Sequence, residues 1–235
     1  MSTWAPRRFW TTASVVPAEG GFAIQLDGRP VRTPLKAPLV LPTEALARAV
    51  AAEWQAVDGK VNPAVMPFTR AANSAIDKVV PQFGAVADML AEYGGTDLVC
   101  YRAEGPEALA ARQDAGWNPL LDWAAGALAA PLIPTVGVMH RDQPAASLAT
   151  LTASVRALTP FQLSAFHDLV AISGSLVLAF AVARGRLTGE EAWALSRIDE
   201  NWQIEEWGED EEAAENAALK RAAFLQAERF FALCG

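Results

Sequence analysis

"FAIQLDGRPVRTPLKAPLVLPTEALARAVAAEW", residues 22 to 54, changes its apolar period partway along. Phe22 to Leu26 alternates in polarity and runs into Asp27-Gly28, a pair that accepts the positive φ angles of a type I′ hairpin turn. Arg29 to Thr33 reads as the returning strand, and Pro30 suits an edge position because it has no backbone N–H to give to a ladder. Leu39-Val40-Leu41 can add a short strand. From Thr43 onward the period becomes 3.6: Leu46, Val50, Trp54 and Val57 share one helical face, and the Thr43 hydroxyl is placed as an N-cap. A strand period that gives way to a helix period, without alternating back, predicts segregated elements and the α+β class.

Upstream, Arg8 to Val16 is rich in aromatic and β-branched residues and reads as a strand that Gly20-Gly21 breaks. Downstream, Phe68, Ala72, Ile76 and Val79 mark a helix stopped by Pro81. Phe83, Val86, Leu90 and Tyr93 mark another, closed by Gly94-Gly95. "DLVCYR", 97 to 102, fits either strand or helix. Pro106 opens a helical stretch interrupted at Asn118-Pro119, and "IPTVGVM", 133 to 139, reads as a strand or an extended linker. Thr159-Pro160 starts a long apolar helix ending near Gly185. Thr188 and Glu191 have capping-box spacing for a helix that runs to Gly208. Asp210 to Leu233 forms the last helix. The chain shows no repeat and no low-complexity linker. These readings predict a small N-terminal β-rich α+β domain, residues 1–80, followed by a larger, mainly α-helical domain, residues 81–235.

Composition narrows the function classes. Of 235 residues, 52% are apolar, which suits a sizeable core rather than disorder. The net charge of −8 and a pI near 4.8 argue against nucleic acid as partner, since such binders need basic patches, and against anionic membrane surfaces. "MSTWAPRRFW" has no apolar h-region and does not read as a secretory signal. "LVAISGSLVLAFAVA", 169 to 183, is too short to span a bilayer and reads as a buried core helix, with Ser173-Gly174-Ser175 letting helices pack closely. Cys100 and Cys234 form no spaced motif, which fits a reducing compartment.

Catalytic and ligand signatures are absent: no glycine-rich nucleotide loop, no H-E-x-x-H, no G-x-S-x-G. His140 and His167 are the only histidines and lie outside metal-ligand spacings. Arg7-Arg8 can hold a phosphate or carboxylate, or simply start a solvated strand. No catalytic residue, metal, cofactor or small-molecule substrate is expected.

One stretch stands apart. In "IDENWQIEEWGEDEEAAE", 198 to 215, nine of eighteen residues are acidic, yet Trp202 and Trp207 sit among them. On a helix from 189 to 207, Leu195, Ile198 and Trp202 would share a face, and Glu200 would point away from it. Acids at 209–212 would face the positive end of the last helix. A solvated helix face explains much of this, a docking surface is the next reading, and a metal-dependent or carboxylate-based hydrolase using 199–212 is the enzymatic alternative. As a docking surface, its candidate partner-binding residues are Glu200, Glu205, Glu206, Trp207 and Asp210.

Six blocks, in order, carry a family resemblance: "RRFW"; "LDGRPVRTPLKAPLVLPTEALARAVAAEW", 26 to 54; "MPFTRAANSAID", 66 to 77; "DLVCYRAEGPEALAARQDAGWNPLLDW", 97 to 123; "SGSLVLAFAVARGRLTGEEAW", 173 to 193; and "DENWQIEEWGEDEEA", 199 to 213. With these the chain resembles the assembly chaperones that bind the alpha subunit of the catalytic head of F-type ATP synthase, known from mitochondria and alphaproteobacteria. The resemblance implies an α+β domain followed by an all-α domain. It also implies a non-enzymatic role: holding the unassembled alpha subunit until the beta subunit replaces it. The start of the sequence does not read as a transit peptide, which suggests a bacterial cytoplasmic member or a mature chain, with eukaryotic relatives in the mitochondrial matrix.

Overall fold

A computed structural model describes residues 7–235. Residues 1–6, and with them most of the segment read as lacking a secretory signal, lie outside the described residues. Strands β1 (Ala13–Ala18), β2 (Gly21–Leu26), β3 (Arg29–Pro30) and β4 (Val40–Leu41) are followed by helices α1 (Glu44–Ala56), α2 (Pro67–Ser74) and α3 (Phe83–Ala91). Strand β5 (Tyr101–Arg102), helix α4 (Glu107–Ala127) and strand β6 (Thr135–Val136) come next. The rest is helical: α5 (Ala145–Arg156), α6 (Pro160–Ser173), α7 (Leu176–Ala183), α8 (Gly189–Ser196), α9 (Ile198–Trp207) and α10 (Glu211–Ala232). The fold is α+β, with a small N-terminal strand region and a larger helical part.

Two compact units emerge. The first comprises residues up to Phe83 together with Thr159–Ala165 and Arg229–Gly235; the second comprises Gly84–Leu158 and Phe166–Glu228.

In the first unit β2 is central. It pairs antiparallel with β1 along its length, with β3 through Gln25 and Leu26, and with β4 through Phe22 and Ala23. Asp27 and Gly28 both have positive φ, as the I′ turn requires. Gly21 is obligatory for a different reason: a Cβ there would lie 2.1 Å from the Leu41 carbonyl oxygen. The inward residues Ile24 and Leu26 join Leu39, Leu41, Leu46, Val50 and Phe230 in one core, each worth about 1.5–3 kcal/mol of burial. Thr43 caps α1 through its hydroxyl, which accepts from Leu46 N at 3.1 Å and donates to the Leu233 carbonyl. The Arg8 guanidinium donates to the main-chain carbonyls of Trp10, Thr11, Gln55 and Val57, which ties the N-terminal segment to the end of α1. Arg7 forms an isolated β-bridge with Lys60, and the strand begins only at Ala13.

Several sequence expectations about helix ends are corrected. Pro81 does not stop the chain's helical course. A π turn at Ala75–Val79 and a 3-10 turn at Val80–Gln82 carry it from α2 into α3, with Pro81 in the first positions of the 3-10 turn, where its missing N–H is tolerated. Nor does Asn118-Pro119 interrupt α4, which runs through Pro119. Buried Trp117, Leu120 and Leu121 flank the proline, and their packing offsets a cost of about 3 kcal/mol. "DLVCYR" divides into a 3-10 turn at Leu98–Cys100 and β5, which pairs parallel with β6.

The long apolar helix is two helices. Gly174 takes φ +71° and turns the chain between α6 and α7. Ser175 then caps α7 by accepting from Leu178 N at 3.0 Å, and Ser173 donates to the Leu169 carbonyl at 2.6 Å. The small residues here end and start helices rather than bring two helices together. Asp97 reaches the same break and accepts from Val177 N at 3.0 Å and Val99 N at 3.2 Å.

Candidate functional site

The acidic stretch lies wholly in the second unit. The capping box forms as its spacing predicts: Thr188 Oγ1 accepts from Glu191 N, and the Glu191 carboxylate accepts from Thr188 N at 2.8 Å. These bonds from Thr188 hold Glu191 below the usual carboxylate pKa. The helix they start does not reach Gly208. It breaks at Arg197, between α8 and α9. In an unbroken helix the Leu195 carbonyl would accept from the amide of residue 199. Here it accepts from the Trp117 indole at 2.9 Å. α4 comes close at this point, because a Cβ on Gly116 would lie 2.8 Å from Ile198 Cδ1 and 3.0 Å from Leu195 Cδ2. A helical wheel drawn continuously from 189 to 207 therefore misplaces side chains beyond Arg197.

Helix α9 is fastened to α4 by polar groups. Asp199 Oδ1 accepts from Gln113 Nε2 at 2.5 Å, and buried Gln113 also accepts from Ala103 N at 2.7 Å. Arg112 binds both oxygens of Glu205 at 2.8 Å, with its guanidinium 5.0 Å from the centre of the Trp202 ring. That fork holds Glu205 below the ordinary carboxylate range and raises Arg112. Trp202 is thus half-buried under a cation.

The five candidate residues divide into two groups. Glu200 forms an i,i+3 pair with Arg197 at 3.0 Å and stays about half exposed; Glu205 is held by Arg112. Asp210 accepts from Ala213 N at 2.8 Å and so starts α10. Glu206 makes no side-chain hydrogen bond or ion pair among the described residues, and Trp207 is 79% exposed. Gly208, at φ +90°, reverses the chain between them and Asp210. Beside this turn an open groove of about 190 Å³ runs between α10 and the α8–α9 elbow, lined by Trp193, Arg197, Ile204, Asp210 and a row of α10 alanines. Arg221 closes one end through a two-pronged pair with Glu190. Sequence reasoning missed Arg112, Gln113 and Trp117, the α4 residues that fix α9. Their only signal was the polar side chains scattered through an otherwise apolar helix.

The surface can bind a cationic or mixed apolar–cationic partner, since it offers unpaired carboxylates beside an exposed indole. Among the described residues no group of three or more His, Cys, Asp or Glu is placed to hold a metal ion, and no helix is long and apolar enough to cross a membrane. His140 contacts Asp142, and His167 contacts Asp168, which raises the His167 pKa.

The family model described as ATP12 chaperone protein matches residues 7–125. A crystal structure of Atp12 from Paracoccus denitrificans is 56% identical, covers 97% of this chain and 98% of its own, and superposes with a TM-score of 0.96. A structure from Agrobacterium tumefaciens is 45% identical over 98% of this chain and 87% of its own, with a TM-score of 0.92. The mitochondrial protein atp12 of Schizosaccharomyces pombe is 27% identical over 223 residues, which is 89% of this chain and 76% of that protein.

Proposed function

From the premise that this chain belongs to the ATP12 chaperone protein family, whose members act in ATP synthase assembly, we propose that its client is the unassembled alpha subunit. The chain covers a surface of alpha that is meant for the neighbouring beta subunit and yields it when beta arrives. Such subunit-facing surfaces are large and partly apolar, and they aggregate when left open. The role is binding rather than catalysis, and it belongs in the compartment where the enzyme is assembled: the cytoplasm in bacteria, the matrix in mitochondrial relatives.

The observation that supports this reading is the exposed Trp207, beside the unpaired Glu206, on a helix locked from behind by Arg112. A large aromatic side chain held in the open on a fixed helix suits an interface anchor. Glu200, Glu205, Glu206, Trp207 and Asp210 form the proposed client face, with Glu206 and Trp207 its free members. The test mixes tagged chain with freshly synthesised alpha subunit and then adds beta. A one-to-one complex that beta dissolves is the expected result. Equal binding to the finished enzyme, or none to alpha, refutes the proposal.

A further inference from the structure

Arg112, Gln113, Gly116 and Trp117 lie on one stripe of α4, spaced by three and four positions. Along this stripe α4 and the α8–α9 segment run in opposite directions. The Trp117 indole meets the Leu195 carbonyl, Gly116 lies against Leu195 and Ile198, Gln113 binds Asp199, and Arg112 binds Glu205. The seam changes character along its length. At one end Trp117 and Ile198 are core residues. Toward the other end Trp202 is half-buried, while Asn201 and residues 203–207 are exposed. On the α10 side this part of α9 faces the open groove lined by Asn201, Ile204 and the α10 alanines. Its distal half is therefore held from the α4 side. There the Arg112 guanidinium spans both oxygens of Glu205 at 2.8 Å and lies 5.0 Å from the centre of the Trp202 ring.

We propose that Arg112 is a positioning residue for the client face: it fixes the distal half of α9, and with it Trp207, before alpha arrives, and Glu205 serves binding through Arg112 rather than by meeting a cation on alpha. This rests on the reading of alpha as client. A planar guanidinium that grips a carboxylate with two bonds sets direction as well as distance. With both Glu205 oxygens so engaged, a cation on alpha would have to displace a matched fork to reach them. Glu206, one residue on and about 100° around the helix, carries a carboxylate without an ion-pair partner among the described residues. The Arg112 and Glu205 side chains are 41% and 53% exposed, and exposed ion pairs add little to folding. The effect of the fork belongs to binding, because a helix end that is ordered beforehand gives up less freedom when it docks.

The test is a double-mutant cycle in the full chain: Arg112→Ala, Glu205→Ala and both together. Each is measured for binding to purified alpha subunit, for melting temperature and for amide hydrogen exchange in the free chain. Each single variant is expected to bind about tenfold more weakly, and the double variant no more weakly than either, because all three lose the same fork. Melting temperatures are expected to stay at the native value, while exchange across 201–207 speeds up. Native or tighter binding by Arg112→Ala, beside weak binding by Glu205→Ala, overturns the proposal, since Glu205 then meets alpha directly. Losses that add in the double variant overturn it too, as does weak binding with native exchange at 201–207. A melting temperature that falls in step with the lost binding makes the fork merely structural and also overturns it. In all these cases the unmodified chain still captures alpha and the client reading stands. No capture by the unmodified chain removes both.

Discussion

Asp97 is fully buried, yet its carboxylate is shared by two helix starts. Burial pushes its pKa up to about 6, against the pull of hydrogen bonds from Ser175, Val177, Val99 and Leu176. Below pH 4 the group is protonated whether the chain is folded or not. Between there and about 6 the folded chain keeps a proton that the unfolded chain has lost. Its stabilising contribution is thus full at low pH and is lost as pH rises through the folded value, by on the order of 3 kcal/mol. Asp27, Glu191 and Glu205, all lowered, act in the opposite sense and lose their contribution as pH falls. The difference between the native chain and Asp97→Asn isolates the buried carboxylate. In urea unfolding, the native chain's stability is expected to fall relative to the variant's between about pH 4 and about pH 6 and to level off above that. Parallel pH profiles would show that Asp97 is ionised throughout.

Elements whose signals are local were legible in the sequence. The Asp27-Gly28 turn, the Thr43 cap, the Thr188–Glu191 box and the start of α10 at Asp210 each depend on residues within four positions. Elements shaped by distant partners were not. The break at Arg197 depends on a carbonyl taken by Trp117, and the break at Gly174 on Asp97, about eighty residues upstream. The acidic face shows the same limit. Its composition was plain, but the Arg112–Glu205 fork joins residues 93 positions apart, and no helical wheel contains it. Glu200, expected to stand free, pairs with Arg197 instead. Glu200→Lys therefore breaks a half-exposed ion pair, worth less than about 1 kcal/mol, and sets two cations side by side. The folded chain is expected to survive by circular dichroism and melting, while capture of alpha weakens because the face has changed sign at one point. Normal capture by a normally folded variant would remove Glu200 from the client face.

Across the whole molecule, 27 acidic residues face 19 basic ones, and a third of the acids fall within 198–215. Several arginines are already engaged within the chain: Arg8 with carbonyls, Arg102, Arg112, Arg156, Arg197 and Arg221 with carboxylates. Glu206, Glu209, Glu211, Glu212 and Glu215, in contrast, have no ion-pair partner among the described residues. A single-sign field of this kind acts at a distance. It accelerates encounter with a cationic patch and is screened once the Debye length shrinks to a few ångströms. Raising salt from about 0.05 to 0.5 M is expected to slow association with alpha by roughly tenfold, while dissociation, governed by short-range contacts such as those of Trp207, changes much less. Stopped-flow mixing at several salt concentrations measures both rates. Neutralising Glu206, Glu209 and Glu212 to glutamine should flatten the salt dependence by lowering the fast, low-salt rate toward the screened one. Association that ignores salt in the native chain, or a slope that survives the three neutralisations, would mean that alpha approaches another side of the molecule.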